Sequence, residues 1–248
     1  MKATLKALSA LLTYPTAEFQ AEASAMQNAI EAEGVLPPAV RGGIVRLLAE
    51  IADGDIYDLQ ERYVLLFDRT RSLSLHLFEH VHGESRDRGQ AMVDLAELYR
   101  RHGLEPSTSE LPDFVPLFLE FLSAIPEDEA RRTLAETVHI LAALRQRLEK
   151  RRSAYADVFA ALEILSEEKP DAKILGAILE APDDDPNDLA ALDAAWKEEE
   201  VRFGSDADAG CGTEGLASRI RAGRRPAPGV RSPEPRRPTV THTSPTRT

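Results

Sequence analysis

Apolar residues recur at three- and four-residue steps through most of the chain up to residue 203, which is the spacing of an amphipathic helix. The clearest stripes lie in 40–51, 56–67, 92–99 and 134–148, with shorter ones in 158–165, 174–179 and 189–196. The stripe at 134–148 predicts one long helix that starts after Pro126 with acidic residues in its first turn. No segment alternates polar and apolar positions as a strand does. The pattern predicts an all-α fold, a single globular domain of about ten helices.

Helix-breaking residues separate these stripes. They occur at Tyr14–Pro15, Gly34 with Pro37–Pro38, Gly103 with Pro106, Lys169–Pro170, and Pro182 to Pro186. No repeat period is present, which argues against a solenoid.

The helical pattern ends after Phe203. Residues 204–248 contain no aromatic residue and six of the 16 prolines, and they are rich in Gly, Ser, Thr and Arg. Such a segment buries too little apolar surface to offset the entropy of ordering it. The sequence therefore predicts an all-helical domain at 1–203 and a disordered Arg/Pro-rich tail at 204–248.

Charge differs between these two parts. Residues 1–203 carry 22 basic and 38 acidic residues, whereas the tail carries eight arginines and four acidic residues, within a total net charge of -12. An acidic body argues against nucleic acid as the main ligand and fits a cationic partner. The tail arginines come in pairs, which are shorter than the clusters typical of lipid or nucleic-acid sites.

Cellular location is indicated by cysteine usage and hydropathy. The chain has one cysteine, Cys211, so it cannot form an internal disulfide. No stretch reaches the roughly 20 apolar residues of a spanning helix, and the best candidate at 114–122 is interrupted by Pro116 and Glu120. The N-terminal Leu5, Leu8, Leu11 and Leu12 share one helical face, so we interpret them as a first amphipathic helix rather than a signal peptide. A soluble, cytoplasmic protein without membrane insertion is expected.

Residues 72–90, the histidine-rich stretch, contain three of the six histidines: His76, His80 and His82. If 73–82 is helical, His76, Glu79 and His80 share one sector, while His82 points to the opposite side. A metal site would then require the helix to break before His82. The alternatives are a mostly buried helix with one polar stripe and a partner-binding surface.

A second helix is predicted to start within this stretch. Gly83 is suited to end the preceding helix, Ser85 to cap the next one, and Asp87 to its first turn. Arg86 and Arg88 are less favourable there, so we expect them to pair with acidic residues elsewhere.

Residues 110–122, the proline-bracketed stretch, are apolar around nearly the whole helix circumference. Pro112 is suited to the first helical position, and Pro116 is early enough to be tolerated with a kink. A helix that is apolar on all sides is normally buried, and the alternative is the wall of a groove for a partner helix.

Together these two stretches resemble a known family. The run LHLFEHVHGESRDRGQAM at 75–92 is similar to the hallmark of the respiratory nitrate reductase delta subunit, the NarJ-type molybdenum-cofactor assembly chaperone. The flanking YVLLFDR at 63–69 and ELPDFVPLFLEF at 110–121 fit as well, and the resemblance covers roughly residues 3–180.

The resemblance implies a system-specific, all-helical chaperone of the redox-enzyme maturation group, and not an enzyme. Such a chaperone binds the N-terminal segment of the apo catalytic (alpha) subunit in the cytoplasm and assists insertion of the molybdenum cofactor and an iron–sulfur cluster. It delays membrane attachment and is absent from the finished enzyme. Transient contact with molybdenum-cofactor delivery proteins is a further expectation, and no bound cofactor or metal of its own is expected.

A basic, helical client segment would suit the acidic regions 105–136 and 180–200. We place the client groove between the two unusual stretches, with two aromatic residues from the preceding helix nearby. The candidate client-binding residues are Tyr63, Phe67, His76, Phe78, Glu79, His80, His82, Glu84, Arg86, Asp87, Arg88, Pro112, Asp113, Phe114, Phe118 and Phe121.

Two alternatives stay open at this level. The client is another molybdoenzyme with a twin-arginine signal peptide, or the protein is a helical metal-dependent hydrolase that uses His76 and His80. The second lacks a His-Glu-x-x-His pair, a glycine-rich phosphate loop and an activated serine or cysteine motif. Cys211 lies in the predicted tail, where no base is held in place.

Overall fold

A computed structural model of the chain describes residues 1–81, 86–105, 110–183, 185, 187, 188 and 190. Within these residues it contains ten α-helices and no strand, which confirms the all-α prediction. The helices are α1 (Lys2–Leu11), α2 (Ala17–Glu33), α3 (Pro38–Asp53), α4 (Ile56–Tyr63), α5 (Arg86–Arg101), α6 (Val115–Ala124), α7 (Glu127–Glu136), α8 (Val138–Lys150), α9 (Ala156–Ser166) and α10 (Ala172–Leu179). The predicted helix at 189–196 and the tail lie outside the described residues, apart from Ala190.

Local sequence signals set many of the helix ends. The side chains of Thr16, Asp55 and Asp171 accept hydrogen bonds from the first backbone N–H groups of α2, α4 and α10. Gly34 ends α2 in the left-handed conformation, with φ 65°. Pro38 begins α3, where its missing N–H costs nothing. The predicted breaks at Tyr14–Pro15, Gly34 with Pro37–Pro38, Gly103 and Lys169–Pro170 all lie between helices and are confirmed.

The prediction of one long helix from Pro126 to Leu148 is wrong. Thr137 separates α7 from α8, and the amide of Ile140 donates to the Thr137 carbonyl (3.0 Å) in a tighter three-residue turn. The Thr137 hydroxyl also donates to the Leu134 carbonyl (2.8 Å). Serine and threonine hydroxyls compete for backbone acceptors in this way. Because the apolar stripe continues across the break, periodicity alone does not reveal it.

Two groups of helices carry the core. α1 packs against α2 and α6, while α9 packs against α3, α7 and α8, and α10 covers α8. The α1 stripe predicted from sequence is fully buried, since Leu5, Leu8, Leu11 and Leu12 are each 0% exposed. The Ser9 hydroxyl donates to the Pro116 carbonyl (2.7 Å) and fixes α1 on α6. No described helix combines the length and the apolar character that crossing a membrane requires.

Glu33, at the end of α2, holds the first turn of α1. Its carboxylate accepts the backbone N–H groups of Ala3 (3.1 Å) and Thr4 (2.8 Å) and contacts the amine of Met1 (2.7 Å). Burial by itself raises the pKa of Glu33, but these hydrogen bonds outweigh it and lower the pKa to about 2. The carboxylate is therefore ionised at neutral pH and supplies the negative charge that a helix N-terminus favours.

A glycine allows α3 and α9 to approach closely. A Cβ atom at Gly43 would overlap the Asp157 carboxylate of α9, whereas one at Gly42 would meet only Arg46 Nη1 at an ordinary 3.7 Å. Burial raises the pKa of Asp157, and the Arg46 guanidinium at 4.0 Å opposes this shift. The Asp157 side chain therefore fits at this position only because residue 43 is a glycine.

We predict opposite effects for alanine at these neighbouring positions. Gly43→Ala is expected to lower the free energy of unfolding by about 1–3 kcal/mol, because the added Cβ displaces the Asp157 carboxylate from its position beside Arg46. Gly42→Ala is the matched control and is expected to raise it by about 0.5–1 kcal/mol, because alanine loses less backbone entropy in a helix. Urea denaturation of both variants tests the pair, and a stabilised Gly43→Ala protein would contradict the packing described.

Candidate functional site

The chain changes its helix type after α4. Residues Val64–Asp68 form a π-helix in which the Arg69 amide donates to the Val64 carbonyl (3.1 Å), followed by 3-10 turns at Arg71–Leu73 and Leu77–Glu79. The condition that 73–82 is helical is not met in the described residues 73–81, so His76, Glu79 and His80 do not share one helical sector. The backbone between the two 3-10 turns is extended at His76, with φ -96° and ψ 111°.

This extended backbone pairs with the proline-bracketed stretch. His76 and Phe114 form an isolated antiparallel bridge. The Leu77 amide donates to the Asp113 carbonyl (3.1 Å), and the Val115 amide donates to the Leu75 carbonyl (2.8 Å). We call residues 74–80 and 111–115 the junction. The two unusual stretches of the sequence therefore meet, as predicted, but they contact each other directly through backbone hydrogen bonds, so no groove separates them here.

Asp113 is the central polar group of the junction. Its side chain is 0% exposed. One carboxylate oxygen accepts from His76 Nδ1 (3.1 Å) and the other accepts the Phe78 backbone N–H (3.1 Å). The second bond lies at the start of the Leu77–Glu79 turn, whose first N–H groups lack partners within the turn. A buried charge of this kind is stable only when both oxygens are satisfied.

His76 carries its hydrogen on Nδ1, because the Asp113 carboxylate can only accept. Its ring also lies against Phe114, with centroids 5.4 Å apart. The hydrogen bond to Asp113 raises the pKa of His76 above its ordinary value of 6.5, and the nearby Glu79 adds to this effect, while burial opposes it. His76 is thus a partly exposed imidazole that takes up a proton more readily than a free histidine.

His80 behaves in the opposite way. Its Nε2 donates to the Ser74 carbonyl (2.8 Å) and closes the loop 74–80 on itself. Burial lowers the pKa of His80 below 6.5, and the positive charge of Arg147 acts in the same direction. The neutral ring therefore serves as a structural donor, and two histidines four residues apart have different roles.

Helix α5 supports the junction from outside. The Tyr99 hydroxyl donates to the Pro112 carbonyl (2.7 Å), and Arg88 Nη2 lies 3.0 Å from a Glu79 carboxylate oxygen. The Arg88–Glu79 ion pair confirms the expectation that this arginine binds an acid outside its own helix. Both side chains are roughly three-quarters buried, with 22% and 27% exposure.

Sequence reasoning missed Arg147 on α8, which supports the same region. Its side chain is only 3% exposed and donates to the carbonyls of Ser72 (2.7 Å), Ile178 (2.9 Å) and Ala181 (3.2 Å). The sequence did contain a signal for its burial. Arg147 follows Ile140 by seven residues and Leu144 by three, so it lies on the apolar face of an amphipathic helix.

A neighbouring arginine reinforces this connection. Arg151 donates to the Ser72 hydroxyl (3.1 Å) and to Asp183 (2.8 Å). Burial tends to raise the pKa of Asp183, but the hydrogen bond and the charge of Arg151 outweigh it, so the pKa is lowered. The 3-10 turn before the junction is thereby joined to the end of α10.

Four predicted client-binding aromatics belong to the core. Tyr63, Phe67 and Phe121 are each 4% exposed, and Phe118 is 2% exposed. The Tyr63 hydroxyl donates to the Leu12 carbonyl (3.0 Å) and burial raises its pKa, while the Phe67 ring lies 5.1 Å from both Tyr63 and Tyr155. These side chains pack in the core beneath the site and are not accessible to a partner in this arrangement.

The accessible part of the predicted site is smaller. His76, Phe78, Glu79, His80, Arg88, Pro112 and Phe114 are partly exposed, and Val81 and Leu111 beside them are 55% and 48% exposed. His82 and Glu84 lie outside the described residues, as do the expected Gly83 stop and Ser85 cap. Arg86 and Asp87 lie in the first turn of α5, and their side chains are likewise not described.

The start of α6 differs from the prediction. Pro112 precedes the helix, which begins at Val115, and Pro116 occupies the early position that tolerates a proline. Pro112 and Asp113 form a turn in which the Phe114 amide donates to the Leu111 carbonyl (3.1 Å), and the bridge to His76 keeps Phe114 extended, so the helix begins only at Val115. α6 itself is mostly buried, as expected of a helix that is apolar on all sides.

A metal centre finds no support in the part of the chain that the structure describes. No three His, Cys, Asp or Glu side chains converge there in a way that could hold an ion. In addition, His76 Nδ1 and His80 Nε2 are both engaged in protein hydrogen bonds.

Two clefts border the π-helix, and Leu65 lines both of them. One, of about 680 Å³, is lined by Leu65, Leu66 and charged residues of α8 and the segment after α10. The other, of about 390 Å³, is lined by Tyr14, Tyr57 and residues of α4 and the π-helix. Neither includes a junction residue.

Comparison with known proteins decides the family. The model of the nitrate reductase delta subunit family matches residues 33–161, slightly more than half of the chain and inclusive of the whole junction. The chain belongs to the nitrate reductase delta subunit family. This confirms the resemblance noted in the histidine-rich and proline-bracketed stretches.

Characterised relatives of this family member cover most of its length. The nitrate reductase molybdenum cofactor assembly chaperone NarJ of Escherichia coli K12 is 44% identical over 216 residues, which is 86% of this chain and 89% of the relative. The proteins named as probable chaperones of the same kind, NarW of the same organism and NarJ of Bacillus subtilis, are 40% and 32% identical over 67% and 64% of this chain, and over 71% and 85% of their own lengths.

These relatives are named as assembly chaperones, which have no catalytic activity of their own. The prediction that this family member is not an enzyme is confirmed. The hydrolase alternative is wrong, and the buried hydrogen bonds of His80 give the physical reason why it is not a free general base.

Proposed function

We propose that this protein is the chaperone that assembles the molybdenum cofactor of a respiratory nitrate reductase. The 44% identity to E. coli NarJ, over 89% of that chaperone, carries this proposal. The two stretches that resemble the family's hallmark build the junction, where backbone hydrogen bonds and the buried Asp113 carboxylate join them. A client molybdoenzyme other than nitrate reductase is not favoured by any observation.

The proposal includes a client-binding step. The chaperone binds the N-terminal segment of the apo catalytic subunit in the cytoplasm, assists molybdenum-cofactor and iron–sulfur insertion, and leaves before the enzyme is complete. The excess of acidic residues in 1–203 supports a client segment that carries positive charge. Contact with cofactor delivery proteins would be transient and would occur while the client is bound.

We assign client binding to the exposed face of the junction. Phe78 and Phe114 present partly exposed aromatic surface there, beside the ion pair of Glu79 and Arg88. Val81 and Leu111 extend the apolar surface. Aromatic anchors surrounded by a polar rim are typical of a protein interface. The buried Asp113 holds Phe78 and His76 in place from below, so it positions the surface without contacting the client.

The proposal predicts that Phe78→Ala weakens binding of a peptide copied from the client's N-terminus. We expect about a tenfold loss of affinity, or about 1.4 kcal/mol, because a partly exposed aromatic anchor is removed. Isothermal titration of the purified chaperone measures it. Tyr57→Ala is the matched control, because Tyr57 is 77% exposed on α4 next to the other cleft. Its affinity should equal that of the wild type.

The opposite result for these two variants would place the client site elsewhere. If Tyr57→Ala weakens binding and Phe78→Ala does not, the client contacts the cleft beside α4. The function itself is tested separately by co-purifying the chaperone from cells that make the reductase. A bound catalytic subunit that is poor in molybdenum supports the assembly role, and a bound subunit of another molybdoenzyme would contradict the choice of client.

A further inference from the structure

The smaller cleft, beside α4, has no role in the function proposed above. Two tyrosines line it from different elements: Tyr57 on α4 is 77% exposed, and Tyr14, in the turn between α1 and α2, is 46% exposed. Val64 and Leu65 of the π-helix add apolar surface. Single turns of π-helix are frequent at functional sites. The volume of about 390 Å³ lies within the range of pockets that bind small ligands or single side chains.

Contacts between the elements hold the Tyr14 side of the cleft in place. The Gln60 side-chain amide donates to the Pro15 carbonyl (2.9 Å), which ties α4 to the residue that follows Tyr14. The Tyr14 ring also lies edge-on against the buried Tyr63, with centroids 5.6 Å apart. The cleft is therefore formed before a partner arrives, which lowers the entropic cost of binding.

The surface around this cleft carries negative charge. Glu61 lines the cleft, and Asp58 lies three residues earlier on the same side of α4. Both are exposed, and neither forms an ion pair with a residue that the structure describes. The nearby arginines already have partners, since Arg62 pairs with Glu50, and Arg69, which also lines the cleft, is engaged as well. The Glu61 carboxylate is therefore available to a cation from outside.

An arginine side chain matches both features of the cleft. Its planar guanidinium stacks on aromatic rings and donates two parallel hydrogen bonds to one carboxylate. Its apolar stem is suited to a surface such as that of Val64 and Leu65. A lysine ammonium has no flat face, so it would use the tyrosine rings less well.

We propose that this cleft binds an arginine of a second protein partner, in a segment where apolar residues flank the arginine. The guanidinium stacks on Tyr57 and pairs with Glu61, and a flanking apolar residue contacts Leu65. Because the cleft includes no junction residue, this partner binds while the client occupies the junction. The site belongs to the free chaperone, so the proposal does not rest on the proposed function.

A short peptide tests the site. The probe is the acetylated and amidated pentapeptide Gly-Leu-Arg-Leu-Gly, titrated into isotope-labelled full-length chaperone and followed by NMR. It should shift the amide signals of Tyr57 and Glu61, with a dissociation constant on the order of 1 mM. The same peptide with citrulline in place of arginine keeps the shape but lacks the charge, so it should bind about tenfold more weakly.

Variants of the chaperone identify the contacts. Glu61→Gln should weaken the arginine peptide about tenfold and leave the citrulline peptide unchanged, because only the ion pair is lost. Tyr57→Leu keeps an apolar side chain but removes the ring, and should weaken the arginine peptide about threefold. Both positions are exposed, so the fold is retained. Glu97→Gln, which removes an exposed acid of α5, is the matched control and should leave the affinity unchanged.

Three results would overturn the proposal. The first is equal affinity of the arginine and citrulline peptides, and the second is an affinity that Glu61→Gln does not alter. The third concerns the client: the probe is titrated into chaperone saturated with a peptide copied from the client's N-terminus. An unchanged dissociation constant supports a second partner, whereas displacement of the probe overturns that assignment. None of these results bears on the assembly role, which co-purification with the reductase tests.

Discussion

The Arg147→Met variant is expected to lose about 3–4 kcal/mol of unfolding free energy, because a buried cation with several acceptors is removed. The buried carbonyls of Ser72 and Ile178 and the part-buried carbonyl of Ala181 lose a donor. Each buried carbonyl left unsatisfied costs about 1 kcal/mol or more. Methionine fills much of the volume of the arginine side chain. The lost unfolding free energy therefore reflects the missing hydrogen bonds more than a packing defect. Urea denaturation measures it.

Arg145→Met is the matched control on the same helix. Arg145 is partly exposed and pairs with Glu149 and Glu163, and these hydrogen bonds raise its pKa. Solvent-accessible ion pairs contribute little, so the control should lose about 1 kcal/mol or less. Hydrogen exchange should also increase at Ser72 and Ile178 in Arg147→Met alone. Equal losses in the two variants would contradict the role given to Arg147.

The second large effect is expected for Asp113→Asn, with a loss of about 2–3 kcal/mol. The amide is nearly the same size, but it presents a donor where the carboxylate accepted from either His76 or the Phe78 amide. Glu79→Gln is the control, because it removes only the partly exposed pair with Arg88 and should cost less than about 1 kcal/mol. An Asp113→Asn protein as stable as the wild type would show that the junction does not depend on this carboxylate.

The same variant makes a prediction about pH. The raised pKa of His76 means that the folded state binds a proton more tightly than the unfolded state, whose value is near 6.5. Its stabilising contribution is therefore fully present below about pH 6.5 and is lost as pH rises through the folded pKa. In Asp113→Asn the pKa of His76 should fall, which NMR titration measures. The stability difference between wild type and variant should accordingly shrink between pH 6 and pH 8.

His80 contributes with the opposite sign. Burial lowers its pKa, so the unfolded state binds the proton more tightly, and stability falls as pH drops below about 6.5. The two histidines partly cancel in the wild type. Removal of the Asp113 charge leaves the His80 effect unopposed, so Asp113→Asn should lose more stability on acidification than the wild type does.

Local sequence signals predicted most of the fold. The stripe of α1, the glycine at the end of α2 and the breaks at Pro15 and Pro170 depend on residues within one or two turns of each other. The break at Thr137 was missed because the apolar spacing continues through it. The helix considered for 73–82 does not form in the described residues, and spacing alone does not distinguish a helix from short turns joined by extended backbone.

The site depended on contacts that are distant in the sequence. Asp113 lies 37 residues from His76, and Arg147 lies 75 residues from Ser72. The sequence marked both unusual stretches and predicted that they lie near each other, but it could not show which aromatics face solvent. Phe118 and Phe121 resemble Phe78 in type, and burial against other helices made them core residues.

The sequence by itself determined the helical class, most helix ends and the family, because periodicity, caps and a long specific motif are all local properties of the chain. Only the tertiary structure decided that the histidine-rich stretch is extended at His76. That conformation exists because the buried Asp113 and the backbone of the proline-bracketed stretch supply hydrogen bonds that a helix would have supplied internally. The different roles of His76 and His80 follow from the same arrangement, since one histidine has a carboxylate partner and the other a backbone carbonyl.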